Sequence, residues 1–261
     1  MSFKVAASDF DGTLFRGGKI SSADAAAIHA WRASGNKFGV VTGRPLIMLT
    51  PCLEKFGVEV DFFVCGNGAI IHGGDGKIIF ESELPKKILR EIVGEPAAAK
   101  TFHFLFEAAD DMFCIARDEK SWLFGEKLRW DFPMTLIDGA GVIDCLPKIN
   151  QLALGFATPE EAQLAADALN KKFPTIDAQR NFNSVDIVAA GINKAQGVEN
   201  LLRLMNWTGA KIFVVGDEAN DLPMIKKFGG CTVSTAKDFV KLAASKIFDS
   251  VGDMLNHFGA A

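Results

Sequence analysis

The chain has 261 residues, enough for about two domains at roughly 150 residues each. Hydrophobic residues make up 49% and charged residues 23%, which excludes a disordered or fibrous chain. The net charge of −4 leaves no overall basic footprint for nucleic acid or an anionic membrane surface, while a local basic pocket for a small anion stays open.

No stretch approaches the roughly 18 apolar residues of a spanning helix, and the N-terminal apolar run is broken by Lys4 and ended by Asp9, unlike a signal peptide. Cys52, Cys65, Cys114, Cys145 and Cys231 are odd in number and widely spread, with no Cys-x-x-Cys. His29, His72, His103 and His257 are equally scattered. The expectation is buried thiols in a reducing cytoplasm and no zinc site.

In chain order, residues 3–8 read as a short buried strand, and residues 22–34 as a helix capped by Ser21 or Ser22 and closed by Gly35. Residues 37–42 form a second apolar run, a helix opens at Pro45 and ends near Gly57, and residues 61–65 give a third strand. Strand alternating with helix predicts right-handed parallel crossovers and an α/β sheet covered on both faces. After about residue 81 the pattern changes. Residues 84–93, 122–130 and 159–173 look helical, while 102–107, 112–117, 150–157 and 183–188 look like strands, a mixture that predicts an α+β layer. The 102–106 stripe reads as a half-buried strand, and Trp122 and Trp130 as packing of that layer's own core. From Lys194 the first pattern returns: a helix to Met205, strand 211–216, helix 221–228, strand 230–234, helix 237–244 and strand 246–249. The expected architecture is a Rossmann-like parallel core made of residues 1–82 and 184–261, with a second domain inserted over 83–183.

Four constellations carry chemistry. Asp9-Phe10-Asp11-Gly12-Thr13 follows the first strand at its C-terminal end, where open α/β sheets bind ligands. Residues i and i+2 of an extended chain project to one side, so Asp9 and Asp11 can converge, one ionised and the other holding a proton. That split suits a nucleophile beside a general acid. Gly216-Asp217-Glu218-Ala219-Asn220-Asp221 follows another apolar strand and adds carboxylates at the same edge. Several carboxylates plus a substrate phosphate describe a Mg²⁺ site. Thr42-Gly43-Arg44-Pro45 joins a strand end to a helix start, where a hydroxyl and backbone N–H groups can hold an anion. Lys194 opens a helix against the sense of its dipole, and such broken local rules mark function.

Taken together and in this order, the four motifs resemble those of the haloacid dehalogenase (HAD) superfamily of phosphohydrolases. The insertion between the Thr and Lys motifs resembles the Cof-like subfamily IIB with a C2B-type cap. The resemblance implies Asp9 as a nucleophile forming an aspartyl-phosphate and Asp11 as acid, then base. It implies Thr42 and Lys194 on the phosphoryl oxygens. Mg²⁺ would lie on Asp9, the Asp11 carbonyl and Asp217. Asn220 would contact the phosphoryl group or its water, and Asp221 would be a further metal ligand or orient Lys194. Two stretches depart from the family pattern: Thr232-Val233-Ser234-Thr235-Ala236, where relatives carry Gly-Asn-Ala, and Cys65-Gly66-Asn67-Gly68, where they carry Asn-Asn-Gly.

The expected reaction is Mg²⁺-dependent hydrolysis of small phosphorylated metabolites, sugar phosphates foremost. A phosphomutase or phosphotransferase would use the same acids, and a non-catalytic phospho-ligand sensor would keep only the fold. The cap is expected to choose the substrate. Arg180, Asn181 and Asn183 near the return linker, with Gly43, Arg44 and Asn67 on core loops, are the candidates for contacting the leaving group.

Overall fold

The computed structural model describes residues 3–259. The chain opens with β1 (Lys4–Ser8), α1 (Ser22–Ala33), β2 (Lys37–Val41), α2 (Leu46–Lys55) and β3 (Phe62–Cys65), each where the sequence predicts it. A hairpin of β4 (Ile70–Gly73) and β5 (Ile78–Glu81) follows. The insertion supplies α3 (Lys86–Val93), β6 (His103–Glu107), β7 (Met112–Ala116), α4 (Trp122–Trp130), β8 (Thr135–Leu136), β9 (Gln151–Gly155), α5 (Pro159–Lys172), β10 (Ile176–Asn181) and β11 (Ser184–Ala189). The chain then returns with α6 (Lys194–Leu204), β12 (Lys211–Gly216), α7 (Leu222–Phe228), β13 (Cys231–Val233), α8 (Asp238–Ala243), β14 (Lys246–Phe248) and α9 (Val251–Gly259).

The larger sheet runs β14-β13-β12-β1-β2-β3-β4-β5. From β14 to β3 all pairings are parallel, and only β4 and β5 are antiparallel. Strands buried on both faces need apolar residues at every position. In β1, Val5 and Ala7 join one cluster and Ala6 the other. The chain moves outward from β1 to β3 on one side and from β12 to β14 on the other, so strand order reverses between β1 and β12. Ligands bind at such reversals, outside the carboxyl ends of the strands. The register of Ser8 with Val215 brings Asp9 level with Gly216, with Asp217 next along the chain.

The second sheet runs β10-β11-β9-β6-β7-β8. One face carries Phe104, Phe106, Leu152, Leu154, Val185 and Ile187 into a cluster with residues of α3 and α5. The other face presents Leu105, Met112, Cys114 and Ala153 toward the first sheet's core. The 102–106 stripe is therefore covered on both sides instead of half-buried. With α3 and α5 already filling one face, α4 lies between the two sheets. Trp130 packs edge-on against Phe15 with ring centroids 5.9 Å apart, and not within the insertion's own core as the sequence suggests.

The division expected at residue 183 falls in the turn of a hairpin. β10 and β11 pair from Ile176–Ala189 to Asn181–Ser184, and β11 also pairs with β9. Strand β11 thus belongs to the second sheet, and the chain crosses back over residues 190–193. The sequence hides this hairpin because its turn, Phe182-Asn183, lacks glycine and proline. Four cysteines are buried and Cys145 is exposed; all are free thiols. Among the described residues no helix is long and apolar enough to cross a membrane.

Candidate active site

Asp9 stands at the end of β1, its N–H bonded to the Val215 carbonyl at 2.8 Å. The chain then turns at Gly12, whose φ is +85°. A Cβ at Gly12 would overlap the Asp217 carboxylate, so glycine here serves both the left-handed backbone and the close approach. Phe10 turns into the core, leaving Asp9 and Asp11 on the open side. Thr13 donates to Asp217 at 2.5 Å.

Ligand oxygens of Asp9, Asp217 and Asp221 lie within 4.8 Å of one another. Burial, then the charge of Asp221, pushes Asp9 well above the ordinary carboxylate range against the pull of Lys194. Burial followed by Asp221 likewise raises Asp217 to about 6, opposed by the Thr13 hydroxyl. The like charges that load Asp9 are thus Asp221 and Asp217 and not, as the i, i+2 spacing suggests, Asp11. Asp221 is the most heavily engaged of the three: one oxygen takes Lys194, and the other takes the N–H groups of Asp217 at 2.9 Å and Glu218 at 3.0 Å. Hard oxygen donors under mutual repulsion fit a divalent ion such as Mg²⁺, with Asp9 and Asp217 holding the lone pairs to offer.

Lys194 is 1% exposed and bridges Asp9 and Asp221, each at 2.6 Å. Asn193 caps α6 by accepting the Gln196 N–H at 3.0 Å. Gly197 lets that helix press against the loop after β3: a Cβ there would meet the Gly68 Cα at 2.8 Å. Burial alone would lower the lysine pKa, but Asp221 and Asp9 outweigh it and keep the ammonium charged.

Asp11 is held apart from this group. Arg44 grips it with two bonds, Nε at 2.6 Å and a terminal nitrogen at 2.8 Å, and reaches Glu126 of α4 at 3.2 Å. Arg44 therefore ties the second aspartate to the insertion and is not the open substrate contact expected of it. Thr42 is buried, accepts the Arg44 N–H at 3.1 Å, and lines the cavity with its hydroxyl.

That cavity, about 420 Å³, lies between the two sheets. Asp9, Asp11, Thr42, Gly43, Arg44, Asn183, Lys194 and Asn220 all line it. Asn67 stands just behind, donating to Gln151 and Asp186 at 3.0 Å each and accepting from Asn220 at 3.1 Å. It is a strut of the seam between the units, and its positive φ of 52° fits an asparagine. Gly43 must be small there, since a Cβ would stand 3.0 Å from Asn67 Nδ2 and from an Asp186 oxygen. Arg180 is the residue that does not arrive. It binds Gln163 of α5 at 3.1 Å and the Phe182 carbonyl at 3.1 Å, because strand alternation turns Asn181, not Arg180, to the cavity side. Sequence reasoning missed Glu107, Gln151 and Asp186 on the insertion's face, and Glu126 on α4. The available signal was a lone acid in an apolar strand, as in HFLFE and SVDIVA.

The profile of the haloacid dehalogenase-like hydrolases matches residues 6–253. The chain belongs to this family. YkrA of Bacillus subtilis is 26% identical over 235 residues, covering 88% of this chain and 85% of that protein. The HMP-PP phosphatase of Cronobacter sakazakii is 24% identical over 234 residues, covering 87% and 82%. Among solved structures, the HAD subclass IIB sugar phosphatase BT4131 superposes with a TM-score of 0.82 at 23% identity, over 99% of this chain and all of that one. The chain is thus a haloacid dehalogenase-like hydrolase, and its parallel α/β core with an inserted α+β cap has the fold of that subclass IIB structure.

Proposed function

We propose that the protein is a Mg²⁺-dependent phosphomonoesterase acting on small phosphorylated metabolites, sugar phosphates foremost. The observation that carries this reading is Lys194 locked between Asp9 and Asp221 at the strand-order reversal, with Asp217 alongside. Phosphoryl transfer asks mainly for positioning and charge neutralisation. Lys194, the Thr42 hydroxyl and Asn220 hold the phosphoryl oxygens in line with Asp9. Asp9, Asp217 and the Asp11 carbonyl would hold Mg²⁺, which when bound would supply further neutralisation of that charge. Asp9 Oδ attacks phosphorus as the ester P–O bond breaks, and Asp11, kept by Arg44 through one oxygen and released at the other to carry a proton, gives that proton to the departing oxygen. Water then attacks the aspartyl-phosphate, and Asp11 takes the proton back as inorganic phosphate leaves. Dividing the reaction through a covalent step lowers each barrier. Asp221 acts through Lys194 and is not needed as a metal ligand.

Phosphate release from a panel of sugar phosphates, nucleotides and cofactor phosphates, with Mg²⁺, with EDTA and in Asp9→Asn, tests the reading. Turnover that needs Mg²⁺ and vanishes in Asp9→Asn is expected. Mg²⁺-independent turnover, or full activity of Asp9→Asn, overturns it. A cytoplasmic setting fits the free thiols.

A further inference from the structure

The cavity has an unusual charge balance. Six carboxylates line the space, Asp9, Asp11, Glu107, Glu126, Asp186 and Glu218, against two cations, Lys194 and Arg44. Both cations are already committed: Lys194 to Asp9 and Asp221, Arg44 to Asp11 and Glu126. Glu218 has its own partner in Lys237. Glu107 and Asp186 are 4% and 7% exposed, and their hydrogen bonds come from neutral amides. Gln151 donates to Glu107 at 2.9 Å, while Asn67 and Asn181 donate to Asp186 at 3.0 and 3.3 Å. Among the described residues no cation lies within ion-pair distance of either. The two are close enough that Asp186, after burial, pushes the Glu107 carboxyl further up.

Buried carboxylates are normally paired with a cation, because an uncompensated buried charge is costly. Here the pair faces the space that a leaving group would fill. A second phosphate or a carboxylate on the substrate would find no cation within ion-pair distance of Glu107 or Asp186 and would push both carboxyls further up, as burial already does. A neutral hydroxyl can donate one hydrogen bond. An ammonium donates up to about three and cancels the charge. Leu105, Ala153, Met48 and Trp122 line the same cavity and accommodate the carbon chain between the two polar ends.

We propose that the cap selects phosphomonoesters whose leaving group carries an ammonium group, seated against Glu107 and Asp186. The proposal rests on the phosphatase reading above and names the substrate class of that site.

The test is kcat/KM, by phosphate release, for ω-aminoalkyl phosphates of increasing chain length, each beside its hydroxyalkyl and carboxyalkyl counterparts. At the best length the amine is expected to exceed the alcohol by about tenfold or more, as a charge-assisted hydrogen bond allows, with the carboxylate poorest. Glu107→Gln and Asp186→Asn should each bring the amine-to-alcohol ratio toward unity. If alcohols are hydrolysed and no chain length favours the amine, the ammonium proposal falls and the phosphatase reading stands. A ratio unchanged in both variants also overturns it. If no ester is hydrolysed, p-nitrophenyl phosphate included, the phosphatase reading falls and takes this proposal with it.

Discussion

Replacing Lys194 by methionine removes one ammonium and keeps nearly the same side-chain length. Two buried carboxylate oxygens, on Asp9 and Asp221, each lose a partner at 2.6 Å. Removing one member of a buried ion pair costs about 3–5 kcal/mol, because the remaining charge is left without compensation. Lys227 and Glu199 offer an internal control at the same 2.6 Å separation, but both side chains there are well exposed. Lys227→Met should cost only about 0–1 kcal/mol. Burial and the second carboxylate partner of Lys194 separate the two predictions. Urea unfolding at pH 7 measures both. The pH dependence adds a second check. Asp9 already binds its proton more tightly in the folded state, and loss of Lys194 strengthens that preference. A folded state that binds more protons than the unfolded one gains stability as pH falls. The Lys194→Met deficit should therefore shrink on acidification from pH 7 toward 5. A loss below about 1 kcal/mol at pH 7, or a deficit that grows on acidification, refutes this account of the site. Phosphatase activity of the same variant should fall by about 10²–10³, the usual scale for removing one preorganised donor.

Arg44→Ala should lower kcat on alkyl phosphates by about tenfold or more, since Asp11 loses its two-point clamp, and far less on p-nitrophenyl phosphate, whose leaving group needs no proton. Equal losses on both substrates would refute a role through Asp11. Arg180→Ala should leave kcat/KM within about twofold, because its guanidinium faces Gln163 and not the cavity; a larger loss would return it to the site. Burial drops the His103 pKa to about 4, below its ordinary 6.5. Its neutral form is favoured on folding, so its contribution is intact above pH 6.5 and disappears as pH falls toward 4, by about 3 kcal/mol in all at 1.36 kcal/mol per unit. Acid unfolding of His103→Gln should be correspondingly shallower, and an unchanged acid limb would count against the buried neutral imidazole.

The acidic edge of the first sheet is legible in the sequence because each acid motif directly follows an apolar run. Strand ends of a parallel sheet gather at one edge, so Asp9 and Asp217 meet once the strands are recognised. Lys194 is legible for the opposite reason, since it stands where its helix least favours it. The cap is harder. Whether Arg180 or Asn181 faces the cavity turns on one residue of register, and the Phe182-Asn183 turn that fixes it carries no glycine. Glu107 and Asp186 look like ordinary ends and interruptions of apolar strands until the second sheet's face is seen to cover the first. Helix α9 did leave a signal. Ser250 accepts the Asp253 N–H at 3.1 Å and donates back to its carboxylate at 3.0 Å, a reciprocal cap readable from the Ser-x-x-Asp spacing.

The pairing of β1 with β12 joins Lys4 to Lys211, so the candidate site is stitched from segments on either side of the cap. During synthesis the cap lies wholly between them. Its sheet can close once Ala189 is available, while β1 keeps one apolar edge open until Gly216 has been made. Unpaired strand edges of this kind invite association with other chains. A ribosome stalled anywhere between those points would carry a finished second sheet above a half-built first sheet with no Asp217. The acidic site is therefore completed only after the cap sheet. Any helper that shields incomplete chains is most needed while α6 and β12 are being added.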